Sequence, residues 1–105
     1  MEAMTITLEQ GEGAGVSGEG ETRGRFVARL PGESATGVLT YFRRGDVLVV
    51  DHTLVPTAIG GRGVAARLVD ALIAHVRAQG LKVEPQCSYV AVAFDRHPEW
   101  GALLA

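Results

Sequence analysis

The stretch VLVVDHTLVPTAIGGRGVAARLVDALIAHVRAQ, from Val47 to Gln79, decides the fold. Its first four residues are apolar, as in a central strand covered on both faces. It turns polar at Asp51, His52 and Thr53, and the carboxyl end of a central strand is where α/β sheets place their chemistry. Beyond Pro56, Ala65, Leu68, Val69, Leu72, Ile73 and Val76 recur at three- and four-residue steps, which predicts a helix over Val64 to Gln79. Gly80 supplies its C′ position, and Leu81 to Glu84 makes a short strand stopped by Pro85. Strand, helix and strand in series predict a right-handed βαβ crossover with two parallel strands.

Upstream, Arg25 to Leu30 alternates, with Phe26, Ala28 and Leu30 on one face. Pro31-Gly32-Glu33 and Arg44-Gly45-Asp46 are turns on either side of a second run, Ser34 to Arg43. Short strands joined by glycine-containing turns predict an antiparallel meander leading into the crossover. A leading strand, Thr5 to Glu9, precedes a stretch from Gln10 to Gly24 that holds six glycines and almost no large apolar side chain. That stretch reads as a mobile loop, because it buries too little to offset the entropy of ordering. Downstream, Tyr89 to Phe94 fits either a strand or two turns of buried helix, and His97 ends it ahead of Pro98.

The whole chain of 105 residues fits one domain. Ten Lys and Arg against twelve Asp and Glu leave a net charge of -2, which lacks the concentrated basic face that nucleic acid or an anionic membrane demands. One cysteine excludes an internal disulfide and any multi-cysteine metal centre. No pair among His52, His75 and His97 has metal-ligand spacing within one element, so no metal is expected. No run approaches the ~20 apolar residues of a membrane span. No basic region precedes an apolar stretch at Met1-Glu2-Ala3-Met4, so the expected location is the cytoplasm.

The sharpest motif is Gly60-Gly61-Arg62-Gly63-Val64-Ala65-Ala66, between the buried strand and the long helix. Glycines there leave backbone N–H groups uncovered at the positive end of a helix, which suits an anion, and Arg62 adds a cation. The alternative is a flexible strand–helix connector. No Gly-Lys-Ser/Thr follows, so it is not a P-loop. The preceding meander and Pro85 after Glu84 argue against a dinucleotide fingerprint.

The loop resembles the pyrophosphate loop of the GNAT superfamily of acetyl-CoA-dependent N-acetyltransferases, whose pattern is Arg/Gln-x-x-Gly-x-Gly/Ala. With His52-Thr53-Leu54-Val55-Pro56, Pro85-Gln86-Cys87 and Arg96-His97-Pro98-Glu99-Trp100, the chain from about Arg25 to Leu104 is similar to small GNAT-like proteins of roughly one hundred residues. The resemblance implies an α+β fold with α/β/α layers and a mixed, mostly antiparallel sheet whose last two strands splay apart. It also tips Cys87 to Phe94 towards a helix. Pantetheine would lie against the backbone of Leu54 and Val55, and amides of Gly61, Arg62, Gly63, Val64 and Ala65 would hold the diphosphate, flanked by Gly60 and Ala66. Gly60 stands where the family has Arg or Gln, and the helical hairpin with which larger relatives grip the acceptor is absent.

The implied function is acetyl transfer from acetyl-CoA to an unidentified amine, which calls for a base and a proton donor for the departing thiolate. Cys87, at the start of the last helix, would face the thioester as acyl acceptor or acid, or else be a small buried hydrophobe. His52 could serve as base or be a satisfied structural histidine. Tyr89 could serve as acid or simply pack. His97 reads as a helix stop, and His75, in mid-helix, as a surface or edge residue. Two rival readings are a CoA-binding module without turnover and an interaction domain whose loop holds no ligand.

Overall fold

The computed structural model describes residues 4–10 and 22–105. Strands β1 (Thr5–Gln10), β2 (Thr22–Arg29), β3 (Thr36–Arg44) and β4 (Val47–Leu54) pair antiparallel in chain order. Helix α1 (Val64–Gln79) then carries the chain to β5 (Lys82–Pro85), which lies parallel to β4. The meander and the crossover thus stand as the sequence predicts. Helix α2 (Ser88–Arg96) and a 3-10 turn, Pro98–Leu103, end the fold.

The expected loop over 10–24 lies, for 11–21, outside the described residues. At its ends the ladder runs further than expected. Gln10 closes β1, and Thr22, Arg23 and Gly24 pair with Arg43, Phe42 and Tyr41. Gly24 is where the Tyr41 side chain crosses β2; a Cβ there would collide with the phenol.

One face of the sheet carries Phe26, Ala28, Leu39, Tyr41, Leu48, Val50 and Val83, which form one cluster with Leu68, Leu72 and Val76 of α1 and Val90 and Phe94 of α2. Helix α1 sits close to β3, because a Cβ at Gly37 would lie 2.6 Å from Val64 Cγ1. Both helices share this cluster, and no described helix lies on the opposite face. The α+β class holds, with a mixed, mostly antiparallel five-stranded sheet packed against helices. On the other face Val27 and Val49 are buried nonetheless, and Arg23 and Arg44 lie over the Phe42 ring at 5.5 and 5.0 Å from its centroid. Long arginine stems can cover apolar surface while their charge stays wet.

The last segment resolves as helix, with Cys87 at its N-cap. His97 caps its far end and stacks on Trp100, ring centroids 4.0 Å apart, with Nδ1 3.0 Å from a Glu99 oxygen. That is the structural role expected of it. His75 packs edge-on against Phe26, and burial, with the nearby Arg43 charge second, holds its pKa below the ordinary value.

Candidate functional site

Strands β4 and β5 part after Val50 and Pro85, the last pair of their ladder. Two amides fix the point of parting: Gln86 and Cys87 both donate to the Val50 carbonyl, at 2.9 and 3.0 Å. Strand β4 continues alone on that side to Leu54, past a β-bulge. Tyr41 pairs with Val50 and Thr40 with His52, so Asp51 is the extra residue.

The bulge corrects one expectation. Plain alternation puts His52 on the face opposite both Asp51 and Thr53. Instead the Asp51 carboxylate accepts the Thr40 hydroxyl at 2.7 Å, and His52 also pairs with Thr40, so these two share the helix-free side. Arg23 adds an ion pair to Asp51 at 3.6 Å. Thr53 pairs with Leu39 and belongs to the helix side. There the Cys87 thiol donates to Thr53 Oγ1 at 3.3 Å. Cys87 is half-buried, whereas His52 is exposed across the strand, so the structure does not bring these two candidates to one face. Tyr89 stands in the first turn of α2, 44% exposed.

Between β4 and α1 the chain makes a 3-10 turn, Thr57–Ile59, with Ile59 fully buried as its anchor. The Gly60 amide donates to the Thr57 carbonyl at 3.0 Å and is therefore engaged inside the turn. Of the cofactor-binding residues expected here, Gly60 thus has no free donor to offer. Gly61 and Gly63 differ. Both have left-handed backbone, φ 76 and 75°, with nothing within 4 Å of where a Cβ would stand. Gly63 is the N-cap of α1 and contributes no side-chain cap, and the first helical bond runs from the Arg67 amide to the Gly63 carbonyl. By helix geometry the amides of Val64, Ala65 and Ala66 then have no intrahelical acceptor. The Val64 side chain points into the core, Ala65 is half-buried and Ala66 is exposed.

The Arg62 guanidinium is turned to Glu33 of the β2–β3 turn, 3.2 Å away and largely solvated. Exposed pairs of this kind hold their partners only weakly, so Arg62 can be recruited by a stronger anion. Leu54 leaves β4 with its side chain 55% exposed, and Val55 is half-buried against the core. The amides at the head of α1 and the two left-handed glycines make a geometry that can accept an anion, and β4 beyond Val50 keeps an unpaired side.

Thr53 is the residue that sequence reading passed over. The break from apolar to polar after Val50 was its only signal, and the bulge that turns it to Cys87 leaves no glycine or proline behind it. Among the described residues no three His, Cys, Asp or Glu side chains stand together as a metal site, and no helix is long and apolar enough to cross a membrane.

Residues 25–103 match the family model described as GCN5-related N-acetyl-transferase. The chain is 35% identical over 92 residues to Protein NATD1 of Mus musculus, covering 87% of this chain and 83% of that protein. Protein NATD1 of Gallus gallus matches to the same extent. Protein NATD1 of Homo sapiens is 35% identical over 77 residues, 72% of this chain and 68% of that one. With the parted strands and the glycine cradle at the head of α1, these matches place the chain in the GCN5-related N-acetyltransferase family.

Proposed function

We propose that this protein binds acetyl-CoA and transfers its acetyl group to an amine. The observation that carries the reading is the cradle of Gly61, Arg62, Gly63, Val64, Ala65 and Ala66, where the first amides of α1 have no intrahelical acceptor and nothing stands within 4 Å of the Cβ positions of Gly61 and Gly63. These residues hold the diphosphate, and the backbone of Leu54 and Val55 lines the path of the pantetheine. The acceptor nitrogen attacks the thioester carbonyl carbon, the carbon–sulfur bond breaks, and the sulfur takes up a proton.

Cys87 is the side chain we place nearest the thioester, with Thr53 fixing its thiol. Tyr89, in the first turn of α2, can supply the proton to the departing sulfur. His52 lies across the strand, on the side from which the acceptor then arrives, and can take the proton the amine releases. Backbone donors at a helix start and a positioned thiol ask for no metal.

One observation favours the rival reading of a CoA-binding module without turnover. The two carboxylates that adjoin the point of parting in sequence are both engaged, Asp51 with Thr40 and Arg23, and Glu84 with the Gln86 amide. Incubation with acetyl-CoA and a panel of amines, following free thiol, separates the two. Thiol release that depends on the amine supports transfer. Saturable CoA binding with no release on any amine supports the module, and no binding at all removes both.

A further inference from the structure

The two edges of the sheet differ. At β5, the chain itself returns to the outer side: Leu104 bridges Val83, and the Ala105 amide donates to the Val83 carbonyl at 2.9 Å. At β1, the opposite edge, no described residue pairs with the outer side.

The hydrogen bonds fix which groups stand on that bare side. Successive residues of a strand aim their backbone groups to opposite sides. The Asp46 carbonyl accepts from Lys82, and the Val50 carbonyl from Gln86 and Cys87. Val50 is therefore turned to β5 and away from its partner Tyr41. Tyr41 is then turned to Gly24 of β2, and the alternate residues Arg25, Val27 and Arg29 are turned to β1, where they meet Glu9, Thr7 and Thr5. Ile6, Leu8 and Gln10 are left with their N–H and C=O groups on the outer side.

A bare row of this kind is a template for another strand, and folds usually guard it with a bulge, a proline or a lysine. Strand β1 has none of these, and its ladder to β2 is unbroken from Thr5 to Gln10. Its one charge, Glu9, is engaged within the sheet by Arg25 and Arg29, at 2.9 and 3.4 Å. Ile6 and Leu8 pack against the core yet stay partly exposed.

We infer that β1 pairs antiparallel with β1 of a second copy of this chain, about a twofold axis through Thr7. The strand complements itself in this register, as a symmetric interface requires. Ile6 of each copy faces Leu8 of the other, and these are the residues whose backbone groups are free. Thr7 meets its counterpart, and Thr5 faces Glu9, so neither carboxylate opposes the other. An axis through Leu8 would instead set Ile6 against Gln10. The two sheets join into one, and the half-covered Ile6 and Leu8 gain an apolar neighbour across the axis. A single strand pair is a small interface, so the dimer is weak and reversible.

The test is sedimentation equilibrium of the whole chain between about 1 μM and about 1 mM, the range in which so small an interface dissociates. The natural protein should rise from 11.1 kDa toward twice that mass. Thr7 is exposed, and on the axis it forms a non-hydrogen-bonded pair with Cα atoms about 4.5 Å apart. Thr7→Lys and Thr7→Glu each set like charges there and should weaken the dimer about fivefold at low salt, and less at high salt. An equal mixture of the two variants should associate more tightly than either alone. A natural protein that stays at 11.1 kDa throughout overturns the inference. A dimer that forms as well in both variants as in the natural protein places the contact elsewhere and overturns it too. So does a mixture no tighter than its components.

Discussion

The three glycines ahead of α1 offer a prediction with opposite signs at neighbouring positions. Gly63 has φ 75° and ψ 19°, a left-handed conformation that costs a residue with a Cβ about 1–2 kcal/mol. No atom lies within 4 Å of its Cβ position, so crowding inside the protein adds nothing. Gly63→Ala is therefore expected to lower stability by about 1–2 kcal/mol, read as a fall in the urea midpoint at unchanged slope. Gly60 has φ -68° and ψ 155°, and its Cβ would meet the Thr57 carbonyl at 3.4 Å, close to ordinary contact. Gly60→Ala should thus be neutral or raise stability by about 0.4–1 kcal/mol, by restricting the unfolded chain. The same pair should split in CoA titration. The methyl of Gly63→Ala projects into the space before the amides and should weaken binding about tenfold or more, near 1.4 kcal/mol. Gly60→Ala, whose amide is engaged with Thr57, should leave affinity within about twofold. Equal stability of the two variants would refute the backbone argument. Equal affinity would refute the cradle.

Replacing Cys87 with Ser should slow amine-dependent thiol release while CoA affinity holds, and full turnover in that variant would assign the thiol to packing. Thr53→Val, which removes the thiol's acceptor, should lower turnover less than Cys87→Ser does; a larger loss would mean the threonine acts on the substrate itself. Gly37→Val drives a side chain against Val64 Cγ1, 2.6 Å from the first carbon alone, and should cost about 1–3 kcal/mol or more in urea unfolding; native stability would mean that α1 does not sit so close to β3. Burial keeps His75 neutral to lower pH than in the unfolded chain, whose value is about 6.5. The unfolded state then binds the proton first as pH falls, so this contribution is intact above the unfolded value and is lost as pH falls below it. His75→Gln should flatten that part of the stability profile, and superimposable profiles would exclude the effect.

Much of this fold can be read from residue patterns because its elements bury stripes of the right period. Leu68, Leu72 and Val76 announce α1, and Phe26 and Ala28 announce the core face of β2. The boundaries escaped where pairing, not composition, sets them. Thr22 to Gly24 look like loop residues, yet they find partners on β3. Tyr89 to Phe94 carry both periods, and it is tertiary packing, Phe94 on Trp100 and Val90 in the core, that selects the helix. In the site, the two left-handed glycines fall inside the motif that marked them. The engagement of Gly60 depends on the turn before it, and the sidedness of His52 depends on an inserted residue. Neither leaves a trace in local composition.

That inserted residue has a consequence for how this strand can change length. Asp51 resets the parity of β4, so Thr53 meets the thiol and Leu54 pairs with Val38 across the sheet. Deleting Asp51, the residue without a partner on β3, would leave Thr40 opposite His52 and Leu39 opposite Thr53, so the hydroxyl would still meet Cys87. The strand can thus lose its spare residue and keep the handoff between sheet and helix, while Thr40 and Arg23 would lose the carboxylate they share.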